Sequence, residues 1–122
     1  MATTRYLVDD VGDAIQFYVD GLGFELVQRF GPAMAIVRLG DLDLWLAGPD
    51  ASAARPMPDG RRPVPGGWNR VVIEVGELDA RIEALAAAGV AFRNEVVEGP
   101  GGRQILAEDP SGNVVELFEW GS

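Results

Sequence analysis

Weak alternation of polar and apolar residues over 3–8 predicts a first strand, closed by Asp9 and Asp10. The apolar spacing then lengthens. Val11, Ala14, Ile15 and Tyr18 make one stripe of a helix, and Asp10 with Asp13 three residues on opens it in the manner of a capping box. Gly21 and Gly23 stop it. Three strands are predicted next, at 24–30, 33–38 and 41–47, with turns at Gly31-Pro32-Ala33 and Leu39-Gly40-Asp41. The order then returns as a strand at 69–75, a helix at 77–88 with Leu78, Ile82 and Leu85 inward, and strands near 91–97, 102–107 and 113–119. Asp109-Pro110-Ser111-Gly112 has the residues of a type I turn, Pro second and Gly fourth.

The chain therefore says one thing twice. "VDDVGDAIQFYVDGLGF" (Val8 to Phe24) matches "VGELDARIEALAAAGVAF" (Val75 to Phe92), and "LGDLDLWL" (Leu39 to Leu46) answers "SGNVVELF" (Ser111 to Phe118). The offset is 67 from Val8 to Val75 and 72 from Gly40 to Gly112, as in a duplicated module with a short insertion. Each half is βαβββ, which makes the fold class α+β. Two paired copies create a cleft, and function is expected where their inner faces meet. Module 1 spans 1–47 and module 2 spans 69–122, within a single domain 1–122. The linker 48–68 is too rich in Pro, Gly and Ala for a long regular element. It is either a binding lid or a passive tether.

Composition narrows the chemistry. At 122 residues and 48% hydrophobic, the chain holds one core. It has no Cys, hence no thiolate nucleophile or thiolate metal site, and no His, the commonest general base and transition-metal ligand. All ten basic residues are Arg, which excludes Lys Schiff-base chemistry. Carboxylate, Tyr, Arg and hydroxyl remain. A net charge of −9 argues against nucleic acid as a partner, which needs a basic face. It serves solubility, and it also steers cationic ligands. "MATTRYLVDD" has no basic region followed by an apolar run, and no stretch reaches the length of a membrane span. A cytoplasmic protein with no membrane partner is expected.

The two βαβββ modules, the "AIQFYVDGLGF" helix ending and above all "AEDPSGNVVELFEW" resemble the vicinal oxygen chelate superfamily of glyoxalase I, bleomycin-resistance proteins and extradiol dioxygenases. The resemblance covers nearly the whole chain. It implies mixed sheets that curve into an open half-barrel around one cleft. Metal-dependent members place a ligand near the start of the first strand of each module and a Glu on the last strand of each module. Carried over, these positions are Thr3, Leu44, Arg70 and Glu116, of which only Glu116 keeps a ligand type. No metal or other cofactor is expected, as in the metal-free bleomycin-resistance branch. The family usually assembles as a dimer, so a homodimer is expected.

If Arg70 and Glu116 face the cleft, alternation brings Val72 and Glu74, Val114 and Phe118, Leu42 and Leu46, and Arg5 and Leu7 to the same side. That is an apolar trough with Arg5, Arg70, Glu74 and Glu116 as polar points, suited to a small organic ligand, aromatic or cationic. Arg70 either pairs with Glu116 or opens to grip a ligand carboxylate, amide or phenol. Trp68, at the linker exit, is placed to stack on a planar ligand. Trp45, one residue from Leu44, is expected against a helix or a partner subunit. Phe17 and Tyr18 belong to the helix core, while Phe30, Phe92 and Trp120 stay open.

Two function classes follow. The first is a metal-independent binding protein that sequesters a natural product or antibiotic-like molecule unchanged. The second is a metal-free enzyme with Glu116 or Glu74 as general base and Arg70 or Arg5 stabilising the oxyanion. Pairing with a guanidinium weakens a carboxylate as a base near neutral pH, which favours the binder.

Overall fold

The computed structural model describes residues 2–121; Met1 and Ser122, the ends of the expected domain 1–122, lie outside them. The chain forms two compact units, Met1–Gly66 and Gly67–Ser122. The first is βαβββ and the second βαββββ, its extra strand coming from a break in the one after the helix; each has an open mixed sheet, in an α+β fold.

The first unit runs β1 (Thr4–Leu7), α1 (Val11–Ile15), β2 (Glu25–Phe30), β3 (Met34–Leu39) and β4 (Leu42–Ala47), with sheet order β1-β4-β3-β2. In this unit β1 and β4 are parallel, being far apart in the chain, while the β2–β3 and β3–β4 hairpins are antiparallel. Asp10 caps α1 as its sequence predicts, its carboxylate accepting the Asp13 N–H at 2.8 Å. The helix then widens into a π-helical turn over Gln16–Gly21, marked by the Leu22 N–H donating to the Phe17 carbonyl at 3.2 Å. That extra residue per turn brings both Phe17 and Tyr18 inward. Tyr18 is fully buried and meets Tyr6, Phe17 and Phe24 edge-on, with centroids 6.4, 4.9 and 5.5 Å apart. Leu44, Leu46, Ala35 and Val37 complete this core.

Residues 48–66 of the expected linker fall in the first unit. Gly48 bonds to the Ala33 carbonyl, Ala51 is buried, and Ser52–Ala54 form one turn of 3₁₀ helix, the only regular element there.

The second unit runs β5 (Val71–Glu74), α2 (Leu78–Ala87), β6 (Ala91–Phe92), β7 (Val97–Glu98), β8 (Gly102–Glu108) and β9 (Val114–Trp120). The order is β5-β9-β8-β6, with β7 also pairing β8. The single strand expected at 91–97 is thus two short ones. The chain leaves the ladder after Arg93, and Asn94 takes the next bond with its side chain, accepting the Leu106 N–H at 2.9 Å. The turn at Asp109–Gly112 closes as predicted, Gly112 N–H to the Asp109 carbonyl at 3.0 Å, with Gly112 at φ +82°. Leu78 and Leu85 are buried as expected, Ile82 only in part. The N-terminus of α2 is capped from the sheet, Leu78 N–H donating to Glu119 at 3.2 Å.

Candidate ligand-binding site

Strand side chains alternate, so the pairing of β9 with β5 and β8 sorts the second sheet into two faces. Ile73, Ile105, Ala107, Val115 and Leu117 are buried on the side of α2, where Glu119 caps the helix. The other face carries Val72 and Glu74 from β5 and Val114, Glu116, Phe118 and Trp120 from β9, with Arg70 just ahead of β5. The register puts Val72, Glu74, Glu116 and Phe118 on one face, and Arg70 reaches it through its bonds to Glu116.

At its centre Arg70 donates from Nε and Nη2 to one oxygen of Glu116, at 3.1 and 2.9 Å, and from Nη1 to the Trp68 carbonyl at 3.3 Å. The side chains keep 29% and 10% of their exposure, so each charge needs the other. At one end Trp120 donates its indole N–H to Glu74 and meets Phe118 edge-on at 4.9 Å. Val72 and Trp120 are exposed, the latter by 65%.

At the other end stands Trp68, 67% exposed. The Arg93 guanidinium lies 4.5 Å from its ring centroid. Every nitrogen of that guanidinium is engaged: Nη1 donates to the Gly67 carbonyl at 2.7 Å, Nη2 to the Gly112 carbonyl at 2.8 Å and Nε to Glu108 at 3.3 Å. Trp68 thus rests on a guanidinium fixed at all three nitrogens. Arg93 belongs to no motif; alternation onward from Phe92 was the only signal for it. Beyond Glu74 lies an open hollow of about 520 Å³ bounded by Glu74, Val75, Gly76, Glu77, Ala80 and Arg81. There the Arg81 Nε is buried without a hydrogen-bond partner among the described residues.

The first unit departs from expectation. Arg5 pairs with Trp45 and Tyr6 with Leu46 across β1 and β4. Leu44 and Leu46 are therefore fully buried with Tyr6 on the α1 side, and the half-buried Leu42 shares their face. Leu42 and Leu46 cannot line a surface with Arg5 and Leu7, because they point through the opposite side of the sheet. Trp45 takes that place instead. It lies against neither a helix nor the core; the Arg5 guanidinium sits 5.0 Å from its ring centroid. Helix-side pairs match Tyr6–Leu46 to Ile73–Leu117, so the first-unit counterpart of Glu116 is Trp45, not Leu44.

With the geometry in place, comparison identifies the kinship. A model of the Glyoxalase/Bleomycin resistance protein/Dioxygenase superfamily matches residues 1–117. The chain belongs to that superfamily. A superfamily member from Sphaerobacter thermophilus DSM 20745 is 27% identical, with a TM-score of 0.73 over 98% of this chain and 97% of that one. TnmS3, an antibiotic binding protein from Streptomyces sp. CB03234, is 26% identical, with a TM-score of 0.70 over 99% and 97%. A lactoylglutathione lyase from Agrobacterium tumefaciens shares the fold at 23% identity and a TM-score of 0.75, over 98% and 92%. No curated protein matches the chain.

The residues at the superfamily's metal positions do not make a metal site. Arg70 puts a permanent cation on Glu116, and neither Leu44 nor Trp45 offers a donor atom. No group of three or more His, Cys, Asp or Glu side chains is arranged to hold a metal among the described residues. The donor set does not fit a divalent ion. No helix among the described residues is long and apolar enough to cross a membrane.

Proposed function

We propose that this superfamily member is a metal-independent binding protein for a small, largely aromatic natural product or antibiotic-like molecule, which it sequesters unchanged. The Arg70–Glu116 pair carries the reading: the one family ligand position that keeps a carboxylate is occupied by a guanidinium. Around it Trp68, Phe118 and Trp120 offer ring faces and edges, and Val72 an apolar wall. Apolar walls with a few placed polar groups suit a small organic ligand. The likeness to an antibiotic binding protein supports the same class. The candidate ligand-contacting residues of the second unit are Trp68, Arg70, Val72, Glu74, Glu116 and Phe118; Arg5 is a separate candidate on the first unit. The acidic surface adds attraction for a cationic substituent. A homodimer in the cytoplasm is the expected setting.

Native mass spectrometry of untagged protein tests this reading. The expected result is a metal-free dimer that takes up an aromatic natural product and releases it chemically unchanged. A stoichiometric divalent metal would overturn metal independence. Turnover of the bound molecule that is lost in Glu116→Gln would replace the binder by the enzyme.

A further inference from the structure

The first unit has a stacked guanidinium of its own, and its surroundings differ from those of Arg70 and of the stacked Arg93. Arg70 spends its nitrogens on Glu116 and Trp68, and Arg93 on Glu108, Gly67 and Gly112. Arg5 lies over Trp45 with no ion-pair partner among the described residues. The carboxylate that β4 places on the same face, Asp43, is already taken by Arg38 through bonds of 2.6 and 3.0 Å.

Its neighbours are apolar. Register puts Ile36 beside Trp45, and Leu7 and Met34 on the same side of the sheet; all three are half-buried. This is a flat wall of indole and aliphatic side chains with one planar five-donor fork at its edge. A flat ring covers the wall, and a guanidinium fork matches two oxygens on a substituent of that ring. We propose that Arg5 and Trp45 form a subsite for a planar organic anion, an aromatic carboxylate or phenolate, on the sheet face opposite α1. This rests on the reading of the protein as an aromatic small-molecule binder and specifies the charge of one part of the ligand.

The three indole N–H resonances of Trp45, Trp68 and Trp120, assigned by single Trp→Phe variants, make the test local. Wild-type protein is titrated with 2-naphthoate and with neutral 2-naphthamide. The expected result is a saturable shift of the Trp45 resonance, with the acid bound at least about tenfold more tightly than the amide, the scale of a charged hydrogen bond. Arg5 is exposed, so Arg5→Gln folds, and it abolishes that preference. Equal binding of acid and amide, or a preference that survives Arg5→Gln, overturns the subsite. Movement of Trp68 or Trp120 without Trp45 also overturns it but leaves the binding function standing. If none of the three moves with these probes and none moves across a panel of aromatic natural products, both readings fall.

Discussion

Arg70 grips Glu116 by one oxygen, with Nε and Nη2 at 3.1 and 2.9 Å, whereas Arg38 holds Asp43 by both, Nε to Oδ1 at 2.6 Å and Nη2 to Oδ2 at 3.0 Å. The two-oxygen fork is the tighter arrangement. The looser one lies where a ligand is expected, so a ligand carboxylate or phenol can compete for the guanidinium without breaking an ideal fork.

Arg70→Ala is expected to weaken binding of an aromatic ligand at least about tenfold, since a charged hydrogen bond is lost. Tryptophan emission titrations measure it, and unchanged affinity removes Arg70 from the site. The same variant strands the largely buried Glu116 and costs about 1–3 kcal/mol in urea unfolding. Replacing both partners by apolar residues, Arg70→Met with Glu116→Leu, recovers much of that loss.

Arg93→Ala removes the cation over Trp68 and three hydrogen bonds that tie residues 67, 108 and 112 together. In a protein whose only tryptophan is Trp68, emission anisotropy should fall as the indole gains freedom. Arg93→Lys should not restore it, because an ammonium keeps the charge but not the planar fork. Restored anisotropy in the Lys variant would show that charge alone holds the ring.

Hydrogen bonds from Arg38 and Arg103 hold the Asp43 and Asp79 carboxyls below the usual carboxylate range, and the opposite charges add to the effect. A depressed Asp lends stability that is complete above its unfolded value of about 3.9 and fades as pH falls through the lower folded value. Asp79 is exposed and Asp43 only half-buried, so the effect is small and weakens with salt. NMR titration of the carboxyls should show Arg38→Gln raising the Asp43 midpoint alone and Arg103→Gln the Asp79 midpoint alone. A midpoint unmoved by loss of its Arg would remove that pair as the cause.

Gly102→Ala should be among the most damaging single changes. A Cβ there would sit 2.0 Å from the Glu119 carbonyl oxygen and 3.0 Å from the Gly121 nitrogen, backbone atoms of the paired strand. Relief requires β8 and β9 to part where Gly102 faces Trp120, at a cost of roughly 2 kcal/mol or more. Thermal unfolding reads this directly, and a melting temperature within a degree of wild type would contradict it.

Most of the element order was legible in the sequence because apolar periodicity, the Asp10 cap and the Asp109–Gly112 turn are local signals. The Arg70–Glu116 pairing was legible too, since parallel neighbours at the start and end of a module share a face. The first unit misled by one residue. Its β3–β4 hairpin turns in two residues, Leu39 facing Leu42, while β8–β9 uses five, Glu108 facing Val114. Aligning the glycines of unlike turns slid β4 by one place and put Leu44 where Trp45 belongs. The break at Arg93–Val96 was equally hidden, because it depends on Asn94 imitating a backbone acceptor across the ladder.

Every residue of β2 is exposed, on both faces, and a register irregularity between Leu26 and Gln28 interrupts its ladder with β3. It adds backbone hydrogen bonds to its unit but almost no buried apolar surface. Local opening follows that balance. The amides of Glu25–Phe30 will exchange with solvent deuterium well ahead of those in β3 and β4, so this unit breathes from its outer strand while the layer around Tyr18 stays shut.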